Sequence, residues 1–134
     1  MDEAGARAAL QHYLEHSAAG EEEVAHEIYH ADAVLEFPQS GERFEGVSNF
    51  LEWRREYPAT KVEFDVRRVR GGGDVWIAEM RVRYEDGPWM YGVQIAEFRG
   101  DKVARETIYV TDAWEAPEWR ARWWAEPPNP PREG

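Results

Sequence analysis

Residues 76–98, WIAEMRVRYEDGPWMYGVQIAEF, determine the fold class of this chain. Apolar side chains at Trp76, Ala78 and Met80 alternate with polar or charged ones, a period of two that is typical of a strand with one buried face. The break Glu-Asp-Gly-Pro at 85–88 carries the residues that favour a turn. The stretch therefore predicts two long strands, the second over 89–98, joined as an antiparallel pair.

The same pattern extends to either side of this pair. Val62, Phe64 and Val66 alternate with charged residues before the turn Gly-Gly-Gly-Asp at 71–74. After the hairpin Gly-Asp at 100–101, a further strand is expected from Val103 to Thr111. The second half of the chain thus predicts four meandering strands.

The first half has helical periodicity. Residues 4–18 place Leu10, Tyr13 and Leu14 on one face, and a second, short helix begins at Glu21 and ends near Tyr29. Brief strands are expected at 33–37 and 43–44. A third helix is expected over 47–57, ending before Pro58.

This order of elements indicates an α+β fold, a cone-shaped curved antiparallel sheet with three N-terminal helices. We expect one domain over 1–126 and a Pro-rich flexible tail over 127–134. Pro117 is expected to open a last helix that carries Trp119 and Trp123 on one side. The concave interior of such a cone is a natural small-molecule pocket.

Composition excludes several classes of protein. The 134 residues include 16 Lys and Arg, 27 Asp and Glu, and no cysteine, so disulfides, thiol nucleophiles and cysteine-based metal sites are ruled out. A net charge of −11 argues against nucleic acid as a partner. No apolar run is long enough for a membrane helix, and Met-Asp-Glu-Ala at the N-terminus is unlike a signal peptide, so we expect a cytoplasmic protein.

The N-terminal segment resembles the SnoaL-like branch of the nuclear-transport-factor-2-like superfamily, which includes polyketide cyclases and ketosteroid isomerases. The resemblance rests on the tyrosine of the first helix, on Ala19-Gly20-Glu21, on Asp32-Ala33-Val34-Leu35-Glu36-Phe37-Pro38, and on Gly100-Asp101-Lys102-Val103. Together these motifs cover roughly residues 6–125. The resemblance implies the fold, whereas this fold carries many different chemistries.

Comparison with the ketosteroid isomerases implies three site positions. Tyr13 falls where they keep an oxyanion-hole tyrosine, and Gln94 falls where they keep the second oxyanion-hole acid. Phe37 falls where they keep the catalytic aspartate, and a hydrocarbon ring cannot transfer a proton. Neighbouring Glu36 points to the opposite side of the strand and is no replacement.

Glu106 is the candidate catalytic base. By period two it shares a face with Ala104, Ile108 and Val110, and the resemblance turns that face into the cone, where an acid among apolar neighbours has a raised pKa. Arg105-Glu106 also partly resembles an Arg-Asp-Tyr sequence of the limonene epoxide hydrolases. The alternative is a buried structural acid; Gln94 and Tyr13 have the same alternative, as a buried amide and a core tyrosine.

The expected ligand is an apolar or aromatic small molecule. Trp53 and Tyr57 either line the pocket or fill the core. The expected ligand-binding residues are Phe37, Phe50, Trp53, Tyr57, Phe64, Met80, Met90 and Ile108.

His26-Glu27-Ile28-Tyr29-His30 matches the zinc-protease pattern H-E-x-x-H. That chemistry needs both histidines on one continuous helix, and the helix here is expected to end at Tyr29. We therefore interpret the match as coincidence and expect no metal.

The leading hypothesis is a SnoaL-like domain that binds its ligand in the cone and, if catalytic, performs a cofactor-free isomerisation, cyclisation or dehydration by proton transfer. Glu106 would be the base, with Tyr13 and Gln94 holding the developing oxyanion. The alternatives are a non-catalytic binding or sequestering domain and a purely structural dimerisation module. Tyr91, Val93 and Ile95 form an apolar stripe on the outer sheet face, which predicts a homodimer.

Overall fold

One unclosed, curved sheet of six strands forms the body of the protein in the computed structural model, which describes residues 1–58 and 61–128. The strands are β1 (Tyr29–Phe37), β2 (Glu42–Glu45), β3 (Val62–Gly72), β4 (Val75–Tyr84), β5 (Met90–Arg99) and β6 (Lys102–Asp112). Their spatial order is β2-β1-β6-β5-β4-β3. Neighbouring strands are antiparallel except for β1 and β6, which are parallel. The α+β class is confirmed, with this one parallel pair as a departure from the expected antiparallel sheet.

Three α-helices accompany the sheet: α1 (Glu3–Ala18), α2 (Glu22–Ala25) and α3 (Val47–Arg55). Asp2 caps α1, since its Oδ1 accepts the Gly5 N–H at 2.7 Å. The face of α1 that carries Tyr13 is buried, and the helix packs against β3. Gly46 precedes α3 with φ of +89°, a conformation that favours glycine and turns the chain from β2 into the helix.

The second helical segment is shorter than predicted. After α2, residues His26–Ile28 form a 3-10 turn, and β1 then begins at Tyr29, four residues before the expected start. The physical reason is a non-local one, because Tyr29 pairs with Val103 of β6 and a bulge separates this pair from Val34.

The C-terminal segment departs further from expectation. In place of an amphipathic helix there is a 3-10 segment, Glu118–Trp123, in which Trp119 and Trp123 are 72% and 63% exposed. Because both side chains are exposed, they do not pack against an apolar surface, and such packing is what mainly stabilises an amphipathic helix. From residue 129 onward the expected Pro-rich tail lies outside the described residues.

The core lies between α1, α3 and the concave face of the sheet. Its members include Leu10, Phe50 and Val103, and Trp76 donates its indole N–H to the Gly73 carbonyl at 3.0 Å. Within the described residues, no helix has the length and apolar character to cross a bilayer.

Candidate functional site

A cavity of about 480 Å³ opens on the concave side of the sheet, beside α1 and α3. That volume lies in the range typical of small-molecule sites. Its wall is formed mostly by apolar and aromatic side chains from all six strands and from α1 and α3. Residues that line it are Tyr13, Leu14, Phe37, Gln39, Ser40, Glu42, Phe44, Trp53, Arg54, Tyr57, Phe64, Met80, Val82, Tyr84, Met90, Gly92, Val93, Gln94, Ile108 and Val110.

One side of the cavity is an aromatic cluster centred on Trp53. Its ring stacks on Phe44 at a centroid distance of 5.5 Å and meets Phe37 edge-on at 5.9 Å. Tyr57 continues the cluster to Tyr84, with ring centroids 5.5 Å apart. Such contacts fix the rings, so the wall presents flat apolar surfaces to a ligand without rearrangement.

Behind the opposite wall lies a buried carboxylate. Glu106 on β6 is 0% exposed, and it does not itself line the cavity. One carboxylate oxygen accepts a hydrogen bond from the Tyr29 hydroxyl and the other accepts one from Nε2 of Gln94. Gln94 lies on β5 opposite Ile108, two pairs along from the Ala96–Glu106 pair, so the side chains of Gln94 and Glu106 meet diagonally on one sheet face.

Burial raises the pKa of the Glu106 carboxyl above its ordinary value. Hydrogen bonds from Tyr29 and Gln94 and the positive charge of Arg54 act in the opposite direction, but desolvation outweighs them. Glu106 is thus a carboxyl whose protonation state responds to its two hydrogen-bond donors.

A chain of hydroxyl groups links Glu106 back to the cavity. Tyr29 shares a side-chain hydrogen bond with Tyr13, and Nη2 of Arg54 donates to the Tyr13 hydroxyl at 3.4 Å. When Glu106 is ionised, Tyr29 gives its single hydroxyl proton to the carboxylate, and in that state Tyr13 is the donor to Tyr29. Burial raises the pKa of both tyrosines, so both hydroxyls stay protonated at neutral pH.

Three buried polar atoms at the cavity have no hydrogen-bond partner among the described residues. They are Nε1 of Trp53, Nε of Arg54 and Oε1 of Gln94, two donors and one acceptor. All three side chains line the cavity. Because buried polar groups are nearly always hydrogen-bonded, these three atoms leave a hydrogen-bonding capacity beside the cavity that the described residues do not satisfy.

A family model described as "SnoaL-like domain" matches residues 10–106 of the chain. The chain belongs to the SnoaL-like family. The matched span contains Tyr13, Tyr29, Arg54, Gln94 and Glu106, that is, every member of the hydrogen-bonded chain described above.

Solved structures agree on the fold of this SnoaL-like domain. An NTF-2-like protein of unknown function from Burkholderia xenovorans LB400 is 41% identical, with a TM-score of 0.83 over 92% of this chain and 96% of that one. A predicted ketosteroid isomerase from Kribbella flavida DSM 17836 is 24% identical, with a TM-score of 0.82 over 97% and 96%. An LEH-like epoxide hydrolase from M. tuberculosis is 14% identical, with a TM-score of 0.69 over 80% and 83%. Among proteins with curated descriptions, none matches the sequence.

The SnoaL-like domain brings most of the predicted site residues to the cavity. Tyr13 and Gln94 are in its wall, together with Phe37, Trp53, Tyr57, Phe64, Met80, Met90 and Ile108. Two predicted residues are placed elsewhere. Phe50 is fully buried in the core with its ring 5.2 Å from that of Tyr29, because it occupies the sheet-facing side of α3, and Glu106 is enclosed behind Gln94.

Tyr29 and Arg54 belong to the site, although the sequence interpretation did not include them. Tyr29 is buried at the first position of β1, but the bulge between Tyr29 and Val34 interrupts the alternation, so strand parity counted back from Phe37 does not predict its direction. Arg54 lies four residues after Phe50, on the apolar side of α3. Helical spacing was therefore a signal for Arg54, whereas the inward position of Tyr29 had no local signal.

The H-E-x-x-H segment does not form one helix. His26 lies in the 3-10 turn with Nδ1 2.8 Å from the Glu22 carbonyl, whereas His30 lies in β1 with Nε2 2.6 Å from the Arg99 carbonyl. Across residues 1–58 and 61–128, no three metal-ligating side chains are grouped. The motif therefore lacks the geometry that zinc-protease chemistry requires.

Proposed function

We propose that this domain binds an apolar or aromatic small molecule in the cavity between α3 and the sheet. The observation that carries the proposal is the aromatic wall around Trp53, with the side chain of Arg54 beside it in the lining of the cavity. An apolar cavity with a few polar groups is the usual form of a ligand site. The open cavity also favours ligand binding over a purely structural dimerisation module.

The test uses two tryptophan substitutions on neighbouring residues of β6. Ile108→Trp fills the cavity, whereas Thr107→Trp places the same side chain on the opposite sheet face. The fluorescent probe N-phenyl-1-naphthylamine should bind to wild type and to Thr107→Trp, and should not bind to Ile108→Trp. Equal binding to all three proteins would place the probe outside the cavity and contradict the proposal.

A second candidate function is proton transfer, favoured by the hydrogen-bonded chain from Tyr13 through Tyr29 to Glu106. With Glu106 ionised, each hydroxyl proton points toward the carboxylate. With Glu106 protonated, the chain can reverse, so that Tyr13 donates to an oxygen in the cavity and polarises a carbonyl there. Glu106 acts through Tyr29 in this scheme and is a positioning residue, since its carboxyl does not reach the cavity.

Measurement of deuterium exchange distinguishes a catalytic function from ligand binding alone. A catalyst for enolisation should accelerate exchange of the α-protons of 2-tetralone in D2O, measured by NMR, and Tyr13→Phe and Glu106→Gln should each reduce the acceleration. The control is Glu79→Gln, because Glu79 lies on the outer face, ion-paired to Arg70 at 3.3 Å. Binding of 2-tetralone without accelerated exchange would contradict the catalytic function and support a non-catalytic binding domain.

A further inference from the structure

Arg54 is a half-buried cation in the cavity wall that has no anionic partner. Within the described residues, no carboxylate lies within 4.0 Å of its guanidinium nitrogens. Its Nε is buried and has no hydrogen-bond partner, and among the described residues its guanidinium makes only the long hydrogen bond to Tyr13. A charge that is partly removed from water without a partner costs stability, which favours a partner from outside the chain.

Other arginines in comparable positions are paired. Arg55, the next residue of α3, binds Glu23 at 2.7 Å on the surface. Arg83 of β4, with only 17% of its side chain exposed, binds Glu63 at 2.5 Å. With 27 acidic residues in the chain, the missing partner of Arg54 is not explained by a shortage of carboxylates.

The groups around Arg54 hold the guanidinium at the cavity without neutralising it. Its Cζ lies 5.0 Å from the Trp53 ring centroid and 5.8 Å from that of Tyr57, which supplies cation–π stabilisation. The Glu22 carboxylate accepts from Ser17 and acts on Arg54 only at longer range. Glu42, the acid in the cavity wall, is exposed at its rim.

We propose that the ligand is an aromatic or polycyclic acid whose anionic oxygen group, a carboxylate or an ionised phenol or enol, pairs with Arg54. This inference rests on the proposed binding function and specifies the class of its ligand. Guanidinium groups bind such oxygens through charged N–H donors, and the half-buried side chain of Arg54 lines the cavity.

The test compares two fluorescent probes that differ by one charged group. These are 8-anilinonaphthalene-1-sulfonate and its uncharged parent, N-phenyl-1-naphthylamine, each titrated into wild type, Arg54→Gln and Arg55→Gln. Arg55→Gln removes the same charge from the adjacent position of the same helix. A direct charged hydrogen bond corresponds to about tenfold or more in affinity. We expect the sulfonate to lose about that factor in Arg54→Gln alone, while the uncharged probe binds all three proteins equally.

A competition experiment on wild type does not depend on the folding of a variant. 2-Naphthoate should displace the bound sulfonate probe at about tenfold lower concentration than 2-naphthamide does. Equal displacement by the two, with Arg54→Gln unchanged toward the sulfonate, would overturn the anionic ligand class and leave the binding function intact. Binding of neither fluorescent probe to wild type would overturn both proposals.

Discussion

Gln94 donates its side-chain amide to Glu106 and lies between that buried carboxylate and the cavity. The two residues come from adjacent strands, and each affects what the other can do. Gln94 keeps Glu106 out of contact with a ligand, and Glu106 holds the Gln94 amide with its Oε1 unpartnered.

Gln94→Leu should destabilise the protein more at pH 8 than at pH 5. The substitution removes one of two donors to Glu106, which raises the pKa of this carboxyl further, and a carboxyl with a raised pKa costs stability as the pH rises through that value. We expect a loss of about 1–3 kcal/mol at the higher pH, measured by urea unfolding. The exposed Gln11→Leu is the control and should change little; a loss independent of pH would contradict the role given to Glu106.

Glu106→Gln should flatten the pH dependence of stability. The native state keeps its proton to a higher pH than the unfolded chain does, so wild type loses stability between the two pKa values as the pH rises. A neutral amide removes this loss, and rotation of Gln94 by 180° would present its Oε1 to the new N–H group. Urea unfolding from pH 5 to 8 measures the slope, and an unchanged slope would argue against a raised pKa.

His26 should make the protein less stable as the pH falls, which is the opposite of the pH dependence expected from Glu106. Burial lowers the pKa of its imidazole to about 4, from 6.5 in the unfolded chain, so the unfolded state takes up the proton first and the protein loses stability as the pH falls. The expected loss between pH 7 and pH 5 is about 2 kcal/mol. His26→Gln should remove that difference, whereas the exposed His12→Gln should keep it.

How far the sequence predicts this molecule depends on the range of the interactions involved. The alternation in residues 76–98 is local, and it predicts β4 and β5 with their turn correctly. Tyr29 belongs to a strand only because β6 pairs with it, 74 positions later at Val103. A local pattern contains no information on that pairing.

The same difference between local and non-local information applies to the residues of the site. Inward-facing residues such as Met80 and Ile108 follow from strand parity and do line the cavity. Parity also places Glu106 on the inner face, but it does not show depth, and the structure puts Gln94 in front of it. The role proposed for Arg54 could not be predicted from parity, because the absence of an ion-pair partner is visible only when the positions of the neighbouring acidic residues are known.

The outer face of the sheet predicts a homodimer. Tyr91 on β5 and Tyr109 on β6 are 50% and 42% exposed, and tyrosines on such a face are typical of subunit interfaces. We expect wild type to sediment as a dimer at micromolar concentration and Tyr91→Glu/Tyr109→Glu to sediment as a monomer, because two buried charges per subunit oppose association. Trp119→Ser, in the exposed C-terminal segment, is the control. A wild-type monomer would contradict the prediction, and a dimer lost only in Trp119→Ser would place the interface at the C-terminal segment.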